Sequence, residues 1–161
     1  MKKTSFTTQY SLKQLSTQAK PDIEELLGAT IELVNINHKT RVQTSFGRFM
    51  FHSFAIYDGI NAVMLLYQHN KKLALFYILL FILFAKCGFE KDKQEKLARQ
   101  QFRESQKQLL SLVQILKSPD TPQDTIHDII KIYREHVPTF DNVTPESVQA
   151  ALQQIIRQYQ K

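Results

Sequence analysis

A chain of 161 residues is long enough for one domain around a single core, so a second domain is not required, and 43% hydrophobic and 22% charged residues are typical of globular proteins. The single cysteine, Cys87, excludes an internal disulfide bond and favours a reducing cytoplasm. The net charge of +6 is concentrated in residues 1–20 and 71–117, where it would suit a solvated surface, an anionic lipid, a nucleic acid or an acidic protein.

The first 20 residues are rich in Ser, Thr and Gln and contain few large apolar residues. They predict a polar, loosely ordered N-terminal arm. The basic start resembles a secretory signal, but polar residues occupy the places where an apolar core should follow, so we expect no cleavable signal. Secretion without such a signal remains open.

Two helices are predicted before residue 70. Pro21 suits the first turn of a helix that should end within residues 35–40. One second helix is predicted over residues 46–67, with a break near Gly59 as the alternative. The polar segment 68–72 predicts a turn that lets the next apolar segment fold back as an antiparallel partner.

The run from Leu73 to Ala85, LALFYILLFILFA, is apolar on every face of a helix and must be enclosed by other helices or by lipid. As a membrane span, residues 73–89 would form about 26 Å of helix against a hydrocarbon core of about 30 Å. Lysines on both sides give no clear orientation, and a two-span hairpin would place His52, Asp58 and Asn61 in the bilayer. We therefore expect burial within the protein, with membrane insertion as the alternative.

A long polar helix is predicted over residues 90–116. Its candidate interaction face consists of Lys96, Arg99, Arg103 and Lys107. Acidic neighbours dilute this basic face, and no aromatic side chains accompany it to stack on bases, so nucleic-acid binding ranks below protein binding.

An amphipathic helical hairpin is predicted over residues 118–161. Thr121-Pro122 and Thr144-Pro145 each place a capping hydroxyl before a proline in the first helical turn. The predicted apolar stripes consist of Ile126, Ile129, Ile130, Tyr133, Val137, Val148, Ala151, Leu152, Ile155, Ile156 and Tyr159.

The fold expected from these elements is an all-α, single-domain bundle over residues 21–161. It should contain five to six helices, with residues 73–88 as a fully apolar central helix.

No catalytic, cofactor-binding or metal-binding residues are assigned. His127 and His136 lack the spacing of metal ligands on one helix face, and His52 fits a core position better than a catalytic one. Cys87 is interpreted as a core thiol at a helix end, with lipid modification as the alternative.

The leading hypothesis is a non-enzymatic helical adaptor that binds another protein, and a bacterial accessory or effector protein would fit the composition. The alternatives are a protein inserted in a membrane through residues 73–89, then nucleic-acid binding by the basic face of residues 90–116. An enzyme would need a site assembled from distant residues such as His52, Tyr57 and Asp58. Homo-oligomerisation is left open.

Overall fold

The computed structural model describes residues 19–117, 122–139 and 143–159, and these residues form four helices. They are α1 (Lys20–Tyr67), α2 (Lys71–Lys117), α3 (Gln123–His136) and α4 (Pro145–Tyr159). The all-α class is confirmed. The predicted polar arm lies outside the described residues except for its last two positions.

The expected five to six helices are reduced to four because the chain stays helical at three places where an end or a break was expected. Residues 35–40 and Gly59 lie inside α1, and the polar residues that follow the apolar run lie inside α2. None of these positions is a proline, and one glycine costs a helix only about 1 kcal/mol. Polar residues alone do not end a helix; the backbone must also leave the helical conformation.

The turn between α1 and α2 lies where the polar segment predicted it. His69 adopts the left-handed conformation with φ 61°, and the Asn70 amide donates to the Leu65 carbonyl at 3.0 Å. The Asn70 side chain then accepts from the Leu73 amide at 3.4 Å, so it caps the start of α2. Only three residues separate two helices of 48 and 47 residues.

The described residues divide into two compact units. The terminal unit contains the described parts of residues 1–36 and 103–161, and the hairpin unit contains residues 37–102. Each long helix contributes residues to both units. The single domain predicted over residues 21–161 stays a prediction, since compact units of one chain need not fold separately.

The terminal unit has its own apolar core. The fully buried side chains on α3 and α4 include Ile129, Tyr133, Leu152 and Ile155, as their helical spacing predicted. Residues from the beginning of α1 and the end of α2 complete this core, among them Ile23, Leu26 and Leu112.

The two predicted proline-containing starts differ in the structure. Thr144 caps α4, because its Oγ1 accepts from the Ser147 amide at 3.2 Å while the Ser147 hydroxyl accepts from the Thr144 amide at 3.1 Å. Pro122, however, is the N-cap of α3 rather than its first helical residue, and Thr121 lies outside the described residues.

A polar cluster joins α1 to α3 within the terminal unit. The Arg134 guanidinium donates to the carboxylates of Asp22 and Glu25, with 2.6 Å between Nη2 and Glu25 Oε2. The Tyr133 hydroxyl donates to Glu25 at 3.1 Å. Burial, followed by the negative charge of Glu25, raises the pKa of Tyr133 to about 12.

The expectation that residues 73–88 form an enclosed central helix is wrong. Within the run 73–85 only Ala74 is buried, and 11% of the most apolar stretch of α2 is buried. The amphipathic stripes of α3 and α4 contribute to the core of the terminal unit. The other described residues therefore leave the apolar run uncovered.

We expect Leu152→Ala to destabilise the terminal unit by about 2 to 5 kcal/mol, because it removes a fully buried side chain and leaves a cavity. Hydrogen exchange of the α3 and α4 amides in the full chain, followed by mass spectrometry, measures this loss of protection. Leu110→Ala is the matched control, since Leu110 is 64% exposed and its loss should cost less than about 0.5 kcal/mol. Equal effects of the two variants would contradict the described core.

The raised pKa of Tyr133 predicts a loss of stability at alkaline pH. The folded state favours the neutral phenol. The resulting contribution of Tyr133 to the free energy of unfolding is therefore complete below pH 10 and decreases as the pH rises towards 12. At pH 11 the loss is about 1 kcal/mol. Between pH 8 and pH 11, the melting temperature should fall less for Tyr133→Phe than for wild type. Tyr67→Phe, at an 87% exposed position, should show the same fall in melting temperature as wild type.

Candidate functional site

The most unusual feature of the described structure is a large exposed apolar surface on the hairpin unit. Among the described residues, 23 large hydrophobic side chains are exposed, and 18 of them lie within residues 46–89. We call these 18 side chains the apolar hairpin surface: Phe46, Phe49, Phe54, Ile56, Tyr57, Ile60, Val63, Met64, Leu66, Tyr67, Leu73, Leu75, Phe76, Leu79, Phe81, Ile82, Leu83 and Phe89. Burial of each would contribute roughly 1.5 to 3 kcal/mol, so this surface requires a partner or a lipid environment.

Small residues line the contact between α1 and α2 within the hairpin unit. Ala55 and Ala62 on α1, and Ala74 and Gly88 on α2, are buried. A Cβ atom at Gly88 would lie 2.9 Å from the His52 ring, which shows how closely the two helices approach. Large side chains outside and small ones inside are typical of helix pairs in membranes, where close backbone packing replaces a hydrophobic core.

A cluster of charged residues pairs the two helices beyond the apolar segments. The Glu95 side chain, 3% exposed, lies 2.7 Å from Arg48 Nη1 and 2.6 Å from Arg99 Nη2. Asp92 accepts from His52 Nε2 at 3.3 Å when that nitrogen carries a proton, and it also lies 3.7 Å from Arg48 Nε. This cluster satisfies a buried carboxylate and marks the end of the apolar surface.

The polar residues that spoke against a two-span hairpin are exposed to different degrees. Asp58 is 5% exposed and lies among the buried positions of α1, and its Oδ2 atom has no hydrogen-bond partner among the described residues. The partly exposed Asn61 amide donates to the Tyr57 carbonyl at 2.9 Å, within the same helix. His52 is also partly exposed and belongs to the charged cluster, so Asp58 alone is withdrawn from the surface.

The structure separates the sequence-predicted interaction face into different environments. Lys96 and Arg99 belong to the hairpin unit, whereas Arg103 and Lys107 belong to the terminal unit. All four are exposed, but Arg99 is paired with Glu95. Cys87 is a free, partly buried thiol at the end of the apolar segment of α2. Within the described residues, no group of three or more His, Cys, Asp or Glu side chains is placed to hold a metal ion.

The cluster of Arg48, Asp92 and Glu95 was not predicted. The acidic neighbours of the basic face were considered only for diluting its charge, so the burial of Glu95 was not expected. A signal was present, because Arg48 and Asp92 are equally distant from Asn70 in the turn. In an antiparallel hairpin such positions lie opposite each other.

Helices α1 and α2 are both long and apolar enough to cross a membrane. Of their most apolar stretches, 17% and 11% are buried in the structure, unlike the core helix of a soluble protein. No protein-family model, curated protein or solved structure matches this chain. We therefore infer its function from its own residues.

We expect Glu95→Gln to weaken the pairing of α1 and α2 by roughly 1 to 2 kcal/mol, since a neutral amide replaces a carboxylate that accepts from two arginines. Partial exposure of both arginines limits the cost. Hydrogen exchange of residues 44–52 and 88–99 in the purified full chain should become faster. Glu90→Gln changes an exposed glutamate and should leave this exchange unchanged; equal exchange in both variants would contradict the role of the cluster.

Proposed function

We propose that this chain is an integral membrane protein that inserts residues 46–89 as a helical hairpin and keeps its terminal unit in water as a non-enzymatic module for protein binding. The observation that carries the proposal is the apolar hairpin surface, which the described residues leave uncovered. The water-soluble role of the terminal unit is supported by its complete apolar core. Anchor and module would thus occupy different parts of one chain.

The lengths of the apolar segments support a spanning hairpin. Residues 49–67 form about 28 Å of helix and residues 73–89 about 26 Å, against a hydrocarbon core of about 30 Å. Tyr67, Lys71 and Lys72 at the turn are suited to the far interface, where long basic side chains extend to the headgroups. The charged cluster at the other end would lie near the opposite interface.

The insertion energies of the two segments differ. On a translocon scale, the 11 Leu, Ile and Phe residues of residues 73–89 contribute about −3 to −6 kcal/mol. The eight Leu, Ile, Val and Phe residues of residues 49–67 contribute about −2 to −5 kcal/mol, which Asp58 offsets by roughly 3 kcal/mol. Helix α2 therefore supplies the driving force, and α1 depends on pairing with it.

The distribution of basic residues favours a cytoplasmic location for the ends opposite the turn. The turn carries Lys71 and Lys72, whereas nine cations accompany the other ends of the two apolar segments. They are Lys39, Arg41, Arg48, Lys86, Lys91, Lys93, Lys96, Arg99 and Arg103. A single span shows no such asymmetry, but in a hairpin both ends lie on one side, and the side richer in Lys and Arg faces the cytoplasm.

The soluble adaptor, which ranked first on sequence, stays the competing proposal. It requires that protein, from a second copy or another chain, cover the apolar hairpin surface. Such a surface would be larger than the patch of a few hundred Å² usual on a soluble monomer. Nucleic-acid binding through the basic face and the absence of enzymatic activity stay predictions.

Carbonate extraction of membranes tests insertion. The double variant Leu79→Arg, Leu83→Arg should be washed off while wild type stays, because two arginines on the exposed face cost roughly 6 to 8 kcal/mol, which exceeds the insertion energy of α2. The control, Leu97→Arg with Leu110→Arg, places the same charges on exposed positions outside the apolar segments and should remain membrane-bound. A detergent-free, monodisperse wild-type particle would overturn the membrane proposal and favour a protein-covered surface.

A further inference from the structure

An open groove on the outer side of α2 combines an apolar floor with two cations. Its volume is about 480 Å³, and its apolar lining includes Phe81, Ile82, Ala85 and Phe89. Lys86, in the middle of the groove, and Lys93, at its end, lie two helical turns apart with Phe89 and Glu90 between them. One continuous surface thus has an apolar half over residues 81–85 and a mixed half, with two cations, over residues 86–93.

The carboxylates of Asp92 and Glu95 do not neutralise the cations of this groove. Asp92 and Glu95 are paired with Arg48, His52 and Arg99. Among the described residues, no ion pair involves Lys86, Lys93 or the nearby exposed Lys96. Glu90 also lines the groove, between the two lysines, and lowers its net positive charge.

We propose that this groove binds an anionic phospholipid, with the headgroup phosphate between Lys86 and Lys93 and an acyl chain along Phe81, Ile82 and Ala85. The inference rests on the proposed membrane insertion, which places the apolar floor in the hydrocarbon region and the lysines at headgroup level. A nucleic acid offers phosphates but nothing to cover the apolar floor, whereas a phospholipid complements both parts. Basic residues near the membrane surface attract anionic lipids by about 1 kcal/mol each.

The test measures phosphatidylglycerol retained by the full chain. The protein is reconstituted in vesicles of phosphatidylcholine with or without phosphatidylglycerol, extracted in mild detergent, and its bound lipid is counted by native mass spectrometry. Wild type should retain phosphatidylglycerol in preference to phosphatidylcholine. The variant Lys86→Gln, Lys93→Gln should bind it roughly 10- to 30-fold more weakly.

Two further variants test whether the charge of the groove itself controls lipid retention. Lys107→Gln with Lys117→Gln removes the same charge from exposed positions of the terminal unit and should retain lipid as wild type does. Glu90→Gln raises the positive charge of the groove and should increase retention. Equal retention by wild type and the Lys86, Lys93 variant, or reduced retention by Glu90→Gln, would overturn the lipid site.

The experiment distinguishes refutation of the lipid site from refutation of membrane insertion. Wild type that resists carbonate in phosphatidylcholine vesicles, but shows no preference for phosphatidylglycerol, refutes the lipid site and leaves insertion intact. Wild type that fails to enter vesicles of either composition refutes insertion and the site with it.

Discussion

The hairpin unit depends on one constraint: most of its large apolar side chains are exposed, whereas its fully packed positions are taken mainly by small residues. In water, burial of large side chains drives helices together. Here Ala55, Ala62 and Gly88 occupy the contact, so pairing relies on close backbone approach and van der Waals packing. Such a pair gains little hydrophobic stabilisation by itself, and its stability depends on what surrounds it. In the proposed anchor, lipid would supply that surrounding without requiring a partner of matching shape.

A contact made of small residues specifies the register of two helices weakly, because one alanine resembles the next. The groups at the two ends of this contact specify the register more strongly. The three-residue turn fixes one end, and the ion pair of Glu95 on α2 with Arg48 on α1 fixes the other. A shift of one helical turn would leave the buried Glu95 carboxylate without Arg48, which is far more costly than the loss of a surface pair. The charged cluster thus selects one register, much as a single polar residue does in a coiled coil.

The sequence predicted the elements whose boundaries have a local chemical cause. The cap at Thr144, the turn after Tyr67 and the stripes of α3 and α4 all follow from nearby residues. What covers the run 73–85 could not be predicted, since an all-apolar helix has the same periodicity in a protein core and in lipid. The burial of Glu95 was missed for a related reason. Spacing within one helix gives no information about a residue 47 positions earlier on another.

The unequal energies of the two apolar segments constrain how the proposed anchor can assemble. Helix α1 is synthesised first, yet Asp58 removes most of its tendency to enter a bilayer alone. Helix α2 carries no acidic residue within residues 73–89 and follows after three residues, so the two segments can enter as a pair. Pairing would then turn Asp58 towards α2 and away from the acyl chains. A carboxyl group costs less free energy facing a partner helix than facing lipid. The short turn is therefore an energetic requirement for α1 as well as a geometric one, because a long connection would leave Asp58 facing lipid until α2 arrived.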